Sequence, residues 1–399
     1  MAEQHEKALV PQIRFTGFTD PWEQRKLGEL FEEHSEKDRD DLPALTIIQG
    51  GGTVHRDESN RNLQFDRNSL SNYKVVDTGD FIVHLRSFEG GLEKATCCGL
   101  VSPAYHIFRG KNVDSDFYYL YFRSKRFIDA DLKPHVYGIR DGRSIDIEGM
   151  KTIFIPWTNL AEQRRIGAFF DHLDSLITLH QRKYDKLCVL KKSMLDKMFP
   201  KGGSLYPEIR FAGFTDPWEQ RKLGELYQKN DERNTDGLGS ERTLSVASMT
   251  FNSAGNGADD SSLPNYKRLR LGDIAFEGHT NKEFAYGRFV LNDAGNGIMS
   301  PRFTCLRPIV EQEYSFWKYF IHSEKVMRPI LVNSTKSGTM MNELVVEDFL
   351  KQEILVPSLP EQRRIGAFFD RLDSLITLHQ RKLELLRNIK KSMLDKMFV

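Results

Sequence analysis

Two stretches of the chain space their apolar residues three and four positions apart. The first runs Ile166, Phe169, Phe170, Leu173, Leu176, Ile177, then Leu187, Leu190, Met194 and Met198; the second runs Ile365, Phe368, Phe369, Leu372, Leu375, Ile376, then Leu386, Ile389, Met393 and Met397. That period gathers the apolar side chains on one stripe of an α-helix. Counted over residues 161–199, such a helix is roughly 58 Å long at 1.5 Å per residue, and too lopsided to stand alone in water. The obvious partner of each stripe is the other. A coiled-coil seam then joins Ile166, Phe169, Leu173, Leu176, Leu187 and Met194 to Ile365, Phe368, Leu372, Leu375, Leu386 and Met393. His180 and His379 interrupt the stripes and read as tolerated edge residues. Ser358-Leu359-Pro360-Glu361 predicts a capping box with Pro in the first turn, and Asn159 with Glu162 predicts the same for the first helix.

The two stripes are copies. EQRRIGAFFDHLDSLITLHQRK at 162–183 returns at 361–382 with one change, His172 against Arg371, and KKSMLDKMF at 191–199 returns at 390–398. Upstream, IRFTGFTDPWEQRKLGEL at 13–30 returns as IRFAGFTDPWEQRKLGEL at 209–226. Each of these arms reads as a short strand, a turn and a helical turn, with Trp22, Leu27 and Trp218 as packing anchors. Lys201-Gly202-Gly203-Ser204 reads as a linker.

Between arm and helix lie two segments of domain size, 31–156 and 227–357. They have diverged, keeping only landmarks: Tyr73-Lys74 and Tyr266-Lys267, Gly79-Asp80 and Gly272-Asp273, Ser102-Pro103 and Ser300-Pro301. FYYLYF at 117–122 matches FWKYF at 316–320, and IFIP at 153–156 matches ILVP at 354–357. Short apolar strands plus one aromatic helix predict a mixed α/β domain, with the aromatic rings in its core. The first helix must carry the chain from one globe to the next arm and the second must return, which predicts antiparallel packing. The fold class expected is α+β, two α/β domains joined by two long helices in an antiparallel coiled coil with a pseudo-two-fold repeat. Its segments are an arm (1–30), a domain (31–156), a helix (157–200), a second arm (201–226), a second domain (227–357) and a distal helix (358–399).

Composition is that of an ordinary soluble protein, 39% apolar and 28% charged. The sequence has no apolar run long enough to span a bilayer and no signal-peptide core after Met1, so the protein is expected in the cytoplasm. Cys97, Cys98, Cys188 and Cys305 form no C-x-x-C pair and are read as reduced thiols, with no metal site. The formal charge of +1 hides an asymmetry: the helices hold +3 and +4, so the globes are net negative. Nucleic acid gripped by bulk charge is excluded, and any such contact is local or shared with a partner. There is no G-x-G-x-x-G, Walker A loop, H-E-x-x-H or methyltransferase N-P-P-[FY] motif, so no catalytic residues are assigned.

Identical arm, divergent globe, identical helix, twice over, implies that the helices meet one kind of partner twice while the globes meet different things. Identity extends to residues off the stripe, such as Arg164, Arg165, Gln181 and Arg182. On GFTDPWEQRKLGEL (17–30 and 213–226) and EQRRIGAFFDxLDSLI (162–177 and 361–376), the chain resembles the specificity subunits of Type I restriction-modification enzymes across essentially its whole length. The resemblance implies a non-catalytic reader of double-stranded DNA whose two target-recognition domains read an asymmetric, interrupted site. It also implies two modification (methyltransferase) subunits around the helices, which methylate adenine, and restriction subunits joined to that core. S-adenosylmethionine, ATP and Mg²⁺ belong to those partners, and no cofactor to this chain. A coiled-coil scaffold whose globes bind proteins is the alternative.

Base readout needs paired donors and acceptors on loops that enter the major groove. In the first globe these are Arg86, Ser87 and Lys94 in one loop, beside Glu89, and Arg140 and Arg143 in YGIRDGRS. In the second they are Asn281 and Lys282 beside His279 and Thr280, then Lys336, Ser337 and Thr339 beside Ser334, Thr335 and Gly338. Lys74, Lys267 and Arg268 are candidates for phosphate contact. Arg164, Arg165, Arg363 and Arg364, in the first turn of each helix, are candidates for docking a modification subunit.

Overall fold

The computed structural model describes residues 9–58, 67–83, 92–137, 144–252, 259–338 and 341–398. Helices and strands mix as the sequence predicts, in two compact units: residues 1–180 with 382–399, and residues 181–381.

The first unit is built on a four-stranded antiparallel sheet in the order Phe31–His34, His106–Gly110, Phe81–Val83, Glu93–Lys94. Over it lies α1 (Ser115–Phe122), opened by Asp114, whose carboxylate accepts from Phe117 N at 2.9 Å. Its FYYLYF run buries Phe117, Tyr118, Tyr121 and Phe122. Phe31 meets Phe81 and Tyr118 edge-on at 5.6 and 5.1 Å, and Phe81 meets Phe122 at 4.9 Å. Edge-to-face rings add to area burial, so this cluster is core and not a stacking platform. The arm strand Glu23–Lys26 pairs antiparallel with Phe154–Trp157, which feeds α2 (Leu160–Lys197).

The second unit repeats the plan. Its sheet order is Tyr227–Lys229, Thr304–Pro308, Ile274–Glu277, Arg288–Leu291. The aromatic helix α3 (Tyr314–Phe320) covers it, the arm strand Glu219–Lys222 pairs with Glu353–Val356, and that strand feeds α4 (Leu359–Met397).

Each unit holds the beginning of one long helix and the end of the other. In the first unit Asp174 of α2 pairs with Lys390 of α4 at 2.6 Å, and Phe398, past the end of α4, touches Phe117 at 5.2 Å and Trp22 at 6.0 Å. In the second, Lys191 of α2 pairs with Asp373 of α4 at 2.6 Å, and Phe199 meets Phe369 at 6.2 Å. The segments run antiparallel in both, and the two ion pairs are repeat equivalents. Arms close the arrangement: Ile13 N donates to the Lys396 carbonyl (3.2 Å), and Ile209 N to the Lys197 carbonyl (3.0 Å).

Most of the stripe packs as its spacing predicts. Ile166 and Leu173 are buried with Met397, and Leu386 and Met393 lean on that core. Ile365 and Leu372 are buried in the second unit, with Leu187 and Met194 against them; Leu176 and Leu375 are half-buried. Three expectations need correction. Phe169 and Phe368 turn to the arms, meeting Phe15 at 5.6 Å and Phe211 at 5.8 Å, because the arm covers that flank of the helix. Leu190 is exposed.

The first capping box is half-formed and the second does not form. Asn159 Oδ1 accepts from Glu162 N at 2.9 Å, but the Glu162 carboxylate does not turn back on the cap. It accepts instead from Arg14 Nε (2.5 Å) and Nη2 (2.7 Å), from Trp22 Nε1 (3.1 Å) and from the Thr158 hydroxyl. Glu361 takes Arg210 in the same fork, 2.7 Å to each oxygen, while Ser358 gives only its carbonyl, to Gln362 N. Two buried glutamates thus fasten each arm to the first turn of its helix. Bidentate charge-assisted pairing of this kind is strong and directional.

Candidate nucleic-acid interface

In both units a two-stranded hairpin stands just before the strand that pairs with the arm. Val136–Tyr137 pairs with Ser144–Ile145, and Thr335–Lys336 with Glu343–Leu344. These are the loops from which the sequence expects base readers.

In the second unit the two loops meet. Asn342 N, in the hairpin, donates to the Gly278 carbonyl at 2.9 Å, directly after the central strand Ile274–Glu277. A Cβ at Gly278 would strike the Asn342 backbone, so only glycine admits the hairpin so close. Past it, Asn281 Oδ1 accepts from Glu283 N (2.8 Å) and Phe284 N (2.9 Å), an Asx turn that stiffens the loop. Asn281 and Lys282, with Lys336 and Ser337 on the hairpin, are exposed on these adjoining loops. Thr339 lies outside the described residues, as do Arg86, Ser87, Glu89, Arg140 and Arg143 in the first unit.

Four candidate cations serve the fold. Lys94 pairs with Asp116 at the start of α1. The Lys74 ammonium donates to the Tyr105 carbonyl (2.7 Å), and burial lowers its pKa. Lys267 donates to the equivalent Phe303 carbonyl (3.1 Å) and pairs with Asp231. Arg268 pairs with Asp236 at 3.0 Å. The Tyr-Lys and Ser-Pro landmarks are two ends of one internal bridge, which explains why both survive divergence and corrects their reading as phosphate contacts. The Gly-Asp landmark is structural as well. Asp80 is buried under Arg109, accepting from its Nε (2.9 Å) and Nη2 (2.8 Å), and Asp273 takes Arg307 at 2.9 Å on both oxygens.

The helix-entry arginines remain outward. Arg165 lies over the Phe15 ring and Arg364 over the Phe211 ring, both at 5.4 Å, so the second arginine of each pair is held by cation–π contact on its own arm. Arg164 is exposed, and Arg363 reaches Glu311 at 3.3 Å and Glu313 at 3.6 Å. Beneath them Gln163 and Gln362 clamp the helices to their globes. Gln163 Oε1 accepts from Asp114 N (2.9 Å), and Gln362 Oε1 from Trp317 Nε1 (3.0 Å). Neither glutamine carries a periodicity signal; only its identity across the repeats marks it.

Among the described residues no cluster of His, Cys, Asp and Glu could hold a metal ion. The four cysteines are free thiols, and burial pushes Cys305 up to about 12. No described helix is long and apolar enough to cross a membrane.

Residues 215–388 match the Type I restriction modification DNA specificity domain. The match spans the second domain with part of its arm and most of its long helix. Among solved structures it is similar to the Type I restriction-modification S subunit of M. genitalium, at 15% identity and a TM-score of 0.55, covering 98% of this chain and 99% of that one. It is also similar to the HsdS subunit of Thermoanaerobacter tengcongensis, at 18% identity and a TM-score of 0.46 over 94% and 96% of the two chains. No curated protein sequence matches it.

Proposed function

We propose that this chain is the specificity subunit of a Type I restriction-modification complex, reading a two-part asymmetric DNA site and directing adenine methylation and restriction by partner subunits. The observation that carries this reading is the contrast within the repeat. Contacts that fasten arm, helix and sheet are kept in both units, while the loops that meet through Gly278 and Asn342 share almost nothing with their counterparts at 84–91 and 138–143. Two unlike readers on one scaffold bind more tightly than either alone, because the second contact is intramolecular.

The chain contributes recognition and no catalysis. Two modification subunits dock on the twin surfaces that begin at Arg164-Arg165 and Arg363-Arg364, and restriction subunits join them. S-adenosylmethionine, ATP and Mg²⁺ are held by those partners, and the assembly works on cytoplasmic DNA. Arg86, Ser87, Arg140, Arg143, Asn281, Lys282, Lys336, Ser337 and Thr339 are the proposed DNA contacts.

The test is to purify the chain with its modification subunit and map methylated adenines on genomic DNA. An interrupted, asymmetric motif is expected. Methylation without sequence preference, or a single uninterrupted motif, overturns the proposal.

A further inference from the structure

Beside the meeting point of the two loops, the second unit opens a concavity of about 470 Å³. Its walls include Glu277, His279, Asn252, Ser300 and Arg302. Glu277 ends the central strand and is only 7% exposed, so its carboxylate is an expensive group to place there. One oxygen is held from within: His279 Nδ1 lies 2.5 Å from Oε1, and His279 N donates to the same atom at 3.2 Å. The other, Oε2, receives no hydrogen bond from the described residues and is open to the concavity. A carboxylate oriented through one oxygen, with the other facing open space, is placed to accept from a donor that arrives from outside. At the rim Arg302 is exposed, its guanidinium over the Phe303 ring at 4.7 Å.

In the major groove the amino groups of cytosine and adenine are the only base-edge hydrogen-bond donors. Adenine is matched by the paired acceptor and donor of an amide, whereas a carboxylate, which only accepts, matches the cytosine N4 amino group. A guanidinium matches the O6 and N7 of guanine. We infer that Glu277 reads the N4 amino group of a cytosine in the half-site of the second domain, with Arg302 on guanine at the rim. This inference rests on the DNA-recognition reading above and assigns to it a specific residue and base. A carboxylate repels phosphate, so Glu277 contributes discrimination and weakens binding to DNA in general. That pairing of effects separates a reader from a merely structural residue.

The experiment uses the full chain in complex with its modification subunits, on duplexes that vary one base pair at a time. For the wild type, one C·G pair in one half of the motif is essential. Glu277→Gln lowers discrimination at that pair alone by roughly ten- to a hundred-fold, the range of one good base contact. It also strengthens binding to unrelated DNA, and the other half of the motif stays unchanged as an internal control. His279→Ala and Arg302→Ala alter exposed side chains, leave folding intact, and shift preference at the same or the adjoining pair. The inference is overturned if the half-site has no essential C·G pair, or if Glu277→Gln folds and keeps the wild-type motif. Where Glu277→Gln does not fold, an unchanged motif in both other variants overturns it. A wild-type complex with no sequence preference sinks the DNA-recognition reading itself, which is a different result.

Discussion

The two units of this chain differ most where they face outward and least where arm, helix and sheet are tied together. Arg14 with Glu162 and Arg210 with Glu361, Arg109 with Asp80 and Arg307 with Asp273, Asp174 with Lys390 and Lys191 with Asp373 are the same contacts made twice. Around them the fastening has begun to drift. Glu162 also satisfies Trp22 and Thr158, whereas Pro357 stands in place of the threonine and Trp218 Nε1 is buried without a hydrogen-bond partner among the described residues. The lesson is that this scaffold tolerates replacement of packing and of single hydrogen bonds, but not of its charged forks.

The comparison breaks most completely at the helix stripe. Leu173→Asp and Leu372→Asp each bury an unpaired charge and lose a packed leucine, which costs on the order of 5 kcal/mol. Assembly with the modification subunits, followed by size-exclusion chromatography, is expected to fail for both. Survival of the complex would show that the stripe is not the seam.

Glu162→Ala and Glu361→Ala come next, at about 3 kcal/mol each, the low end of the range for a broken buried pair, since a half-buried arginine is left without its partner. Denaturant unfolding should rank Glu162→Ala as the costlier, because Trp22 and Thr158 lose their acceptor too. Equal costs would mean the extra bonds contribute nothing.

A finer contrast lies in the tryptophans. Trp22→Phe loses a hydrogen bond to a carboxylate and should cost about 1.5–3 kcal/mol more than Trp218→Phe, which removes an N–H that is already unpaired. Thermal melts of the two variants measure the difference directly.

The smallest effect is a pH dependence at one ion-pair cluster of the second unit. Hydrogen bonds from Arg270 and Arg307 hold the Glu232 carboxyl down at about 2, from an ordinary value of 4.5. A depressed carboxylate stabilises the folded state above pH 4.5 and loses that contribution as the pH falls toward 2. Glu232→Gln should flatten the acid limb of stability over that window, read by circular dichroism; an unchanged limb removes Glu232 from the account.

Much of this architecture was legible in the order of residues. Helix period, repeat offset and aromatic spacing locate both long helices and the core of each domain, because burial on one face imposes a fixed period. What was not legible has a common cause. Glu162 suits a capping box by spacing, yet an arginine far earlier in the chain takes its carboxylate, and no local pattern announces such a partner. Lys74, Lys267 and Arg268 look like surface cations in sequence, and only folding brings backbone carbonyls or acids to them. Glu277 was hidden because it ends an apolar strand and reads there as a strand terminus. Polar side chains obey partners distant in sequence, whereas apolar ones obey a period.

The discontinuous make-up of the first unit sets an order of events during synthesis. Residues 181–381 are continuous and can close as soon as they emerge, while the earlier unit must wait for 382–398, roughly 10–40 s later at ribosomal speed. Until Met397 and Phe398 arrive, the rings of Trp22 and Phe117 lack their cover. The domain made first is therefore finished last, and a tag or deletion near residue 398 injures the opposite end of the polypeptide.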